Sequence, residues 1–267
     1  MKIGKILKYL IGALAVLVIA AVVVLTVIDF NDYKPELQAQ VKQATGRDLT
    51  IEGDIKLTLS FTPSLGVSGV SFANAEWGSR PAMATIGRFE VQVALIPLIS
   101  GTIDIRKVVL EGADVLLEKN AEGQVNYAFE RATSEQTAEA SPGAPTIPVL
   151  RHVLIENARI SYKDAVSEQA TTLVVDKLSM KTGGVDAPVD LSFAGSYNEN
   201  PIEASGTLGS RNELLSAGRP WPVALTLEGG GANIDLKGTV TNVLTAPLLD
   251  LNLTVKGETL ATLSKLA

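Results

Sequence analysis

The chain has 267 residues, enough for one large domain or two small ones. Its 23 basic and 29 acidic side chains give a net charge of −6 with no basic run, which argues against a nucleic-acid partner. Cysteine is absent, which excludes disulfides, thiolate metal sites and cysteine nucleophiles, and with aromatics at 5% any core must be built mainly from Val, Leu and Ile.

Lys2, Lys5 and Lys8 precede an uncharged run from Tyr9 to Ile28, and Asp29 is the next charge. Twenty residues is the length a helix needs to cross a bilayer core. Thirteen of the residues from Leu10 to Ile28 are Leu, Ile or Val, worth about 4–8 kcal/mol of insertion free energy. Lysines before the span and none just after it place the N-terminus in the cytoplasm and residues 29–267 across the membrane. The alternative, a cleaved signal peptide, lacks support: the only Ala-x-Ala in or near the apolar run, Ala13-Leu14-Ala15, lies in its middle. Without the three lysines the remainder carries a charge of −9.

Residues 29–46 read as a short amphipathic helix. Asp32 is a candidate N-cap, Pro35 suits the first turn, Leu37, Val41 and Ala44 form one stripe, and Gly46 is a stop signal. The stripe suits packing on the helix's own domain or lying on the membrane surface.

From Arg47 the period becomes two. Leu49 and Ile51; Ile55, Leu57, Leu59 and Phe61; Phe89, Val91, Val93 and Leu95; Ile103 and Ile105; and Ile160 and Tyr162 all alternate with other residues. Such strands have one apolar and one wet face, as in an antiparallel sheet. A pattern of Val, large apolar, Asn or Gly, then Ala recurs at Val70–Ala75, Val108–Ala113 and Val153–Ala158, and implies a left-handed backbone residue before each Ala. Val189–Gly195, Val223–Gly229 and Leu251–Gly257 share a second pattern, and Gly206-Thr207-Leu208 and Gly238-Thr239-Val240 end the strands between them, predicting a meander of similar hairpins. Residues 131–146 are low in complexity, with no large apolar side chain, and read as a disordered loop.

The expected fold is therefore mainly β: a transmembrane helix and a short amphipathic helix, then an elongated, curved antiparallel sheet. The divisions are 1–28 (cytoplasmic tip and anchor), 29–46 (helix), 47–130 (first β segment), 131–148 (loop) and 149–267 (second β segment), the two β segments being β-groove segments by the family resemblance given below. No Gly-rich phosphate loop, zinc spacing or calcium loop is present, and no cofactor, metal or catalytic residue is expected. The single histidine, His152, reads as a surface residue. Trp77 and Trp221, each beside turn residues, read as packing plugs.

Asp29-Phe30-Asn31-Asp32-Tyr33-Lys34-Pro35, Thr45-Gly46-Arg47, Ile51-Glu52-Gly53-Asp54, Leu65-Gly66-Val67, Asn74-Ala75, Trp77-Gly78, Asn120-Ala121, Gly123 and Asn126 follow one another as in the AsmA family of bacterial envelope proteins, which the chain resembles strongly to about residue 130 and more loosely beyond. Tyr127 stands where that family often has Trp, and Gly257–Ala267 resembles a segment that in the family continues, so a truncated sequence is expected. The resemblance implies an inner-membrane anchor with a periplasmic body and a role in outer-membrane biogenesis. It also implies kinship with TamB-like and chorein-type proteins, whose repeated sheets curl into a lipid-holding groove. On that basis Leu57, Leu59, Phe61, Phe89, Val91 and Val93 are expected to face phospholipid. The competing reading of the same alternation is a filled β-sandwich. The competing function is a structural or interaction protein that modulates assembly or targeting of outer-membrane proteins through its sheet edge. An enzyme would need a polar pocket that the sequence does not reveal.

Overall fold

A computed structural model describes residues 28–60, 62–99, 102–129 and 148–257 of the protein. All but the last residue of the expected anchor, and Phe61, lie outside the described residues, as does the stretch read as a disordered loop; among the described residues no helix is long and apolar enough to cross a membrane.

A 3₁₀ turn at Phe30–Tyr33 leads into helix α1 (Lys34–Thr45). Asp29, not Asp32, caps this entry, its Oδ1 accepting from the Asn31 N–H at 2.9 Å. Pro35 lies in the first turn, and Gly46 (φ 73°) closes the helix by donating to the Lys42 carbonyl. No α1 side chain is fully buried: Leu37 and Ala44 are exposed and Val41 is half-buried, so the apolar stripe is only partly packed within the described residues.

The rest is one 13-stranded sheet. Its strands are β1 (Leu49–Ile51), β2 (Lys56–Thr58), β3 (Ser64–Ala73), β4 (Ala82–Val93), β5 (Asp104–Lys119), β6 (Val149–Leu150), β7 (His152–Asp164), β8 (Gln169–Thr182), β9 (Val189–Tyr197), β10 (Asn200–Leu208), β11 (Pro220–Gly229), β12 (Ala232–Thr241) and β13 (Leu248–Gly257). Two one-turn helices, α2 (Leu95–Ile99) and α3 (Arg211–Leu215), interrupt the connections. Leu95 therefore starts a helix and does not end a strand; Pro97, which lacks the N–H a ladder needs, explains why the strand stops. The order is β1-β3-β4-β5-β7-β8-β9-β10-β11-β12-β13, with β2 beside β3 and β6 beside β5.

Neighbours pair antiparallel, except that β5 pairs with both β6 and β7 in parallel. The sheet is thus mixed where an all-antiparallel one was expected. β5 ends at Lys119, yet the chain re-enters beside the start of β5, with Asp104 opposite Val149. Residues 120–148 form the long connection that a parallel pair requires. From β7 onward strands adjacent in sequence pair with one another, and the predicted meander is present in β9–β13, with the repeats at Val189, Val223 and Leu251 in β9, β11 and β13.

The left-handed residues predicted from the first repeat explain how the apolar face stays continuous. Leu110 and Ala113 are three apart and would face opposite ways in a regular strand. Gly112 (φ 63°) lies between them, and both pack in one cluster with Ala158, Val175, Ile155, Leu178 and Phe193. Asn157 (φ 53°) does the same between Ile155 and Ala158. In β3 the left-handed residue is Gly69 (φ 62°), not Asn74, which lies past the strand end; the first copy of the repeat was out of step with the others. The buried cluster of Ala113, Ala158 and Val175 is the centre of the sheet.

Candidate functional site

Directly opposed residues in a ladder share a face. Reading the register across the sheet gives one row: Leu57, Leu65, Val91, Val108, Val153, Met180, Leu191, Gly206, Leu225, Leu236 and Leu253. It crosses eleven strands, on the order of 50 Å at ~4.8 Å per strand, without a polar side chain. Gly206 (φ 150°) is its one gap, because a Cβ there would run into the Ala224 carbonyl. The parallel row through Val67, Phe89, Leu110, Ile155, Leu178, Phe193, Ala204, Leu227, Ile234 and Val255 is equally apolar.

The opposite face is charged. Arg88, Glu111, Glu156, Lys177, Ala194, Glu203 and Glu228 occupy one register there, with Lys177 paired to Glu156 at 3.2 Å. His152 lies on this face, half-buried, with Nε2 3.2 Å from Ser179 Oγ. Burial, followed by the charges of Lys181, Lys107 and Lys177, holds its pKa below the ordinary value.

Each strand packs on its ladder neighbours, α1 on β1 and α3 on β11, and no second layer covers the apolar face among the described residues. Leu65, Ile160 and Leu253 on that face are 44%, 39% and 63% exposed. The described residues thus form a lined open surface, not the filled sandwich that the same alternation allows.

Of the six residues expected on a lipid-facing surface, Leu57, Phe89 and Val91 fall in these two rows. Val93 joins them by pairing with Ile105 past a register shift. Leu59 lies just beyond β2, half-buried, and Phe61 is outside the described residues. The expected set covers only the first strands; the surface continues through β13.

Polar groups gather at the ends of this surface. Asn126 is fully buried: its Nδ2 donates to Asn74 Oδ1 (2.9 Å) and to the Leu116 carbonyl (2.8 Å), and its Oδ1 accepts from the Glu118 N–H (2.8 Å). Asn74 Nδ2 donates in turn to Glu118 Oε2 (2.9 Å). Burial resists ionisation of Glu118, but hydrogen bonds from Ser79 and Asn74 outweigh it and hold the carboxyl below its usual range. These contacts tie the turn at 74–81 and the hairpin at 120–126 to the end of β5. Beside them, Phe129 packs edge-on against Phe72 (5.7 Å between centroids), and the Arg47 guanidinium lies 5.0 Å from the Phe129 ring centre. Sequence reasoning missed this assembly. Gly46 was read as a helix stop and Asn74 as a repeat position, Asn126 stood out only through family resemblance, and no local pattern brings three distant segments together.

An open, single-layer β-sheet with one apolar and one charged face defines the class of protein to which these features belong. The AsmA family model matches residues 1–190, and the chain belongs to the AsmA family. It is also similar to the AsmA family protein YhjG of Escherichia coli (strain K12), 25% identical over 293 aligned residues that cover 99% of this chain and 43% of that protein. The chain thus spans less than half the length of that relative.

Proposed function

We propose that the protein is a membrane-anchored, periplasmic lipid-binding protein that holds or conducts phospholipid along its apolar face in outer-membrane biogenesis. The observation that carries this reading is the uncovered surface on which two rows run from β3 to β13 without a charge. A sixteen-carbon acyl chain exposed to water costs about 12 kcal/mol at ~0.8 kcal/mol per methylene, and a continuous apolar surface offsets much of that cost along a path. The process needs no nucleophile, base or metal. The uncharged run from Tyr9 to Ile28 supplies the anchor and brings the sheet next to its lipid source.

The test is site-specific photocrosslinking in the full chain, in membranes. A crosslinker at Val91 or Leu225 on the apolar face should capture phospholipid, and one at Ser192 or Ser205 on the opposite face should not. Equal capture from both faces, or none from the apolar face, would sink the reading.

One observation favours a second reading, an interaction protein working through its edge. Among the described residues β13 has no partner on its outer side, and Leu248 and Leu249 are 65% and 68% exposed. Such an edge is a template for a strand from another protein. Crosslinks from β13 to protein, with no lipid capture at Val91, would select it.

A further inference from the structure

An open cleft of about 810 Å³ lies at the end of the sheet where α1 meets β1. Three distant segments build its walls: Thr45–Asp48, Ala73–Trp77 and Gly123–Phe129. It adjoins the apolar face directly, because Phe129 in its wall packs against Phe72, whose ladder partners Leu49 and Ala84 lie on that face.

Among the described residues Arg47 is the one Lys or Arg lining the cleft, and it is short of counter-charge there. Among the described residues no carboxylate pairs with it. Its Nη1 donates to Met83 Sδ at 3.3 Å, a weak acceptor, and its guanidinium stacks over the Phe129 ring. Burial already depresses its pKa. Of the two acidic residues in the wall, Asp48 is engaged by Lys42 at 2.8 Å, which leaves Glu76. A guanidinium presents a fork of donors that matches an oxyanion in two-point contact. Trp77, 38% exposed, and Phe129, 40% exposed, give the same cleft aromatic walls.

We propose that this cleft binds the phosphate of an amphiphile through Arg47, with the apolar chain running onto the face at Phe72. The inference rests on the lipid reading above and adds to it a polar subsite at one end of the surface. Glu76 on the rim suits the ammonium of a zwitterionic head, so a phosphoethanolamine lipid is the natural probe.

The experiment uses the full chain in a maltoside detergent, which carries no phosphate, in a Trp221→Phe background so that Trp77 alone reports. Inorganic phosphate and dihexanoylphosphatidylethanolamine, below its micelle concentration, are titrated separately. The lipid should change Trp77 fluorescence saturably, and Arg47→Gln should weaken binding at least tenfold. Gln124→Glu is the second variant. It keeps an oxygen to accept from Asn120 Nδ2, leaves the packing of Arg47 untouched and places a negative charge on the exposed rim; at least fivefold weaker binding is expected. If phosphate alone binds as tightly as the lipid, with the same dependence on Arg47, the oxyanion site stands and its source is free phosphate. If both variants bind the lipid as the unmodified protein does, the site is refuted. Persistent lipid crosslinks at Val91 in that case would show that the apolar face works without it, whereas their absence would remove both readings.

Discussion

Arg151 grips the buried carboxylate of Asp104 from two sides. Its Nε lies 2.9 and 3.0 Å from the two oxygens and its Nη2 2.8 Å from Oδ2, while Nη1 donates to the Gly183 carbonyl at 2.6 Å. Asp104 starts β5, and Arg151 stands between β6 and β7, so this pair pins the chain where it returns to pair in parallel. Asp104→Asn should cost about 1–3 kcal/mol, less than a fully buried pair because the Arg151 side chain is 29% exposed. The hydrogen bond from Arg151 holds the Asp104 carboxyl below its usual range. The stability it contributes is complete above the unfolded-state value near 3.9 and is lost as pH falls through the lower folded-state value. Urea unfolding at pH 7 and pH 3 should show the gap between the two proteins closing at the acid end.

Asn126→Ala should destabilise by about 2–4 kcal/mol, since it takes a partner from the Glu118 N–H and the Leu116 carbonyl in a buried setting and leaves Asn74 Oδ1 with the Ala75 N–H alone. Asn126→Asp keeps an acceptor but removes both donors and sets a carboxylate beside Glu118. Its penalty should be larger at pH 7 than at pH 5, in the same unfolding assay.

The left-handed positions separate conformational cost from packing cost. At Gly112 a Cβ would meet nothing closer than 3.6 Å, so Gly112→Ala should cost about 1–2 kcal/mol through its backbone angle alone. Asn157→Gly should be neutral or slightly stabilising, and Asn157→Ala should cost about 1 kcal/mol. A thermal melt of each checks the ordering.

His152 is the chain's one histidine, so its ring signals in a proton NMR titration need no assignment. The midpoint should lie below 6.5, because burial and then Lys181, Lys107 and Lys177 disfavour the cation. Lys181→Ala should raise it. Its contribution to stability is present above pH 6.5 and is lost as pH falls through the depressed value. A midpoint above 6.5 would contradict the packing of His152 on the charged face.

Leu225→Asp and Ser205→Asp place the same charge on opposite faces of the same pair of strands. The first should cut phospholipid capture at Val91 at least fivefold, and the second should leave it unchanged. Equal loss would mean that the charge acts through the fold and not through the surface.

Period-two alternation revealed many of the strands, the meander from β9 to β13 and the apolar face, because each follows from neighbours in sequence. Gly46 and Pro35 likewise marked α1 through local backbone preference. Alternation is the same in parallel and antiparallel strands, so the β5–β7 joint was invisible to it. The low-complexity stretch 131–146 was the available clue, since a tight hairpin has no use for such a length. The repeat at Val70 was set five residues out because Asn74, followed by Ala, imitates the left-handed pair that Gly69 supplies without one. The cleft around Arg47 needs residues from 45–48, 73–77 and 123–129 to meet, and no spacing encodes that meeting.

Among the described residues the strands lean mainly on the strands beside them in the sheet, so damage in such a ribbon stays local. The seam is tightest in the middle, at Ala113, Ala158 and Val175, and loosest at β13, where Leu249 and Leu253 are 68% and 63% exposed. Within the described residues, fraying should therefore start at β13 and travel inward one hairpin at a time, leaving the β5–β7–β8 seam closed until last. A molecule that opens in this graded way can yield at one end to admit a guest without surrendering the rest of its structure.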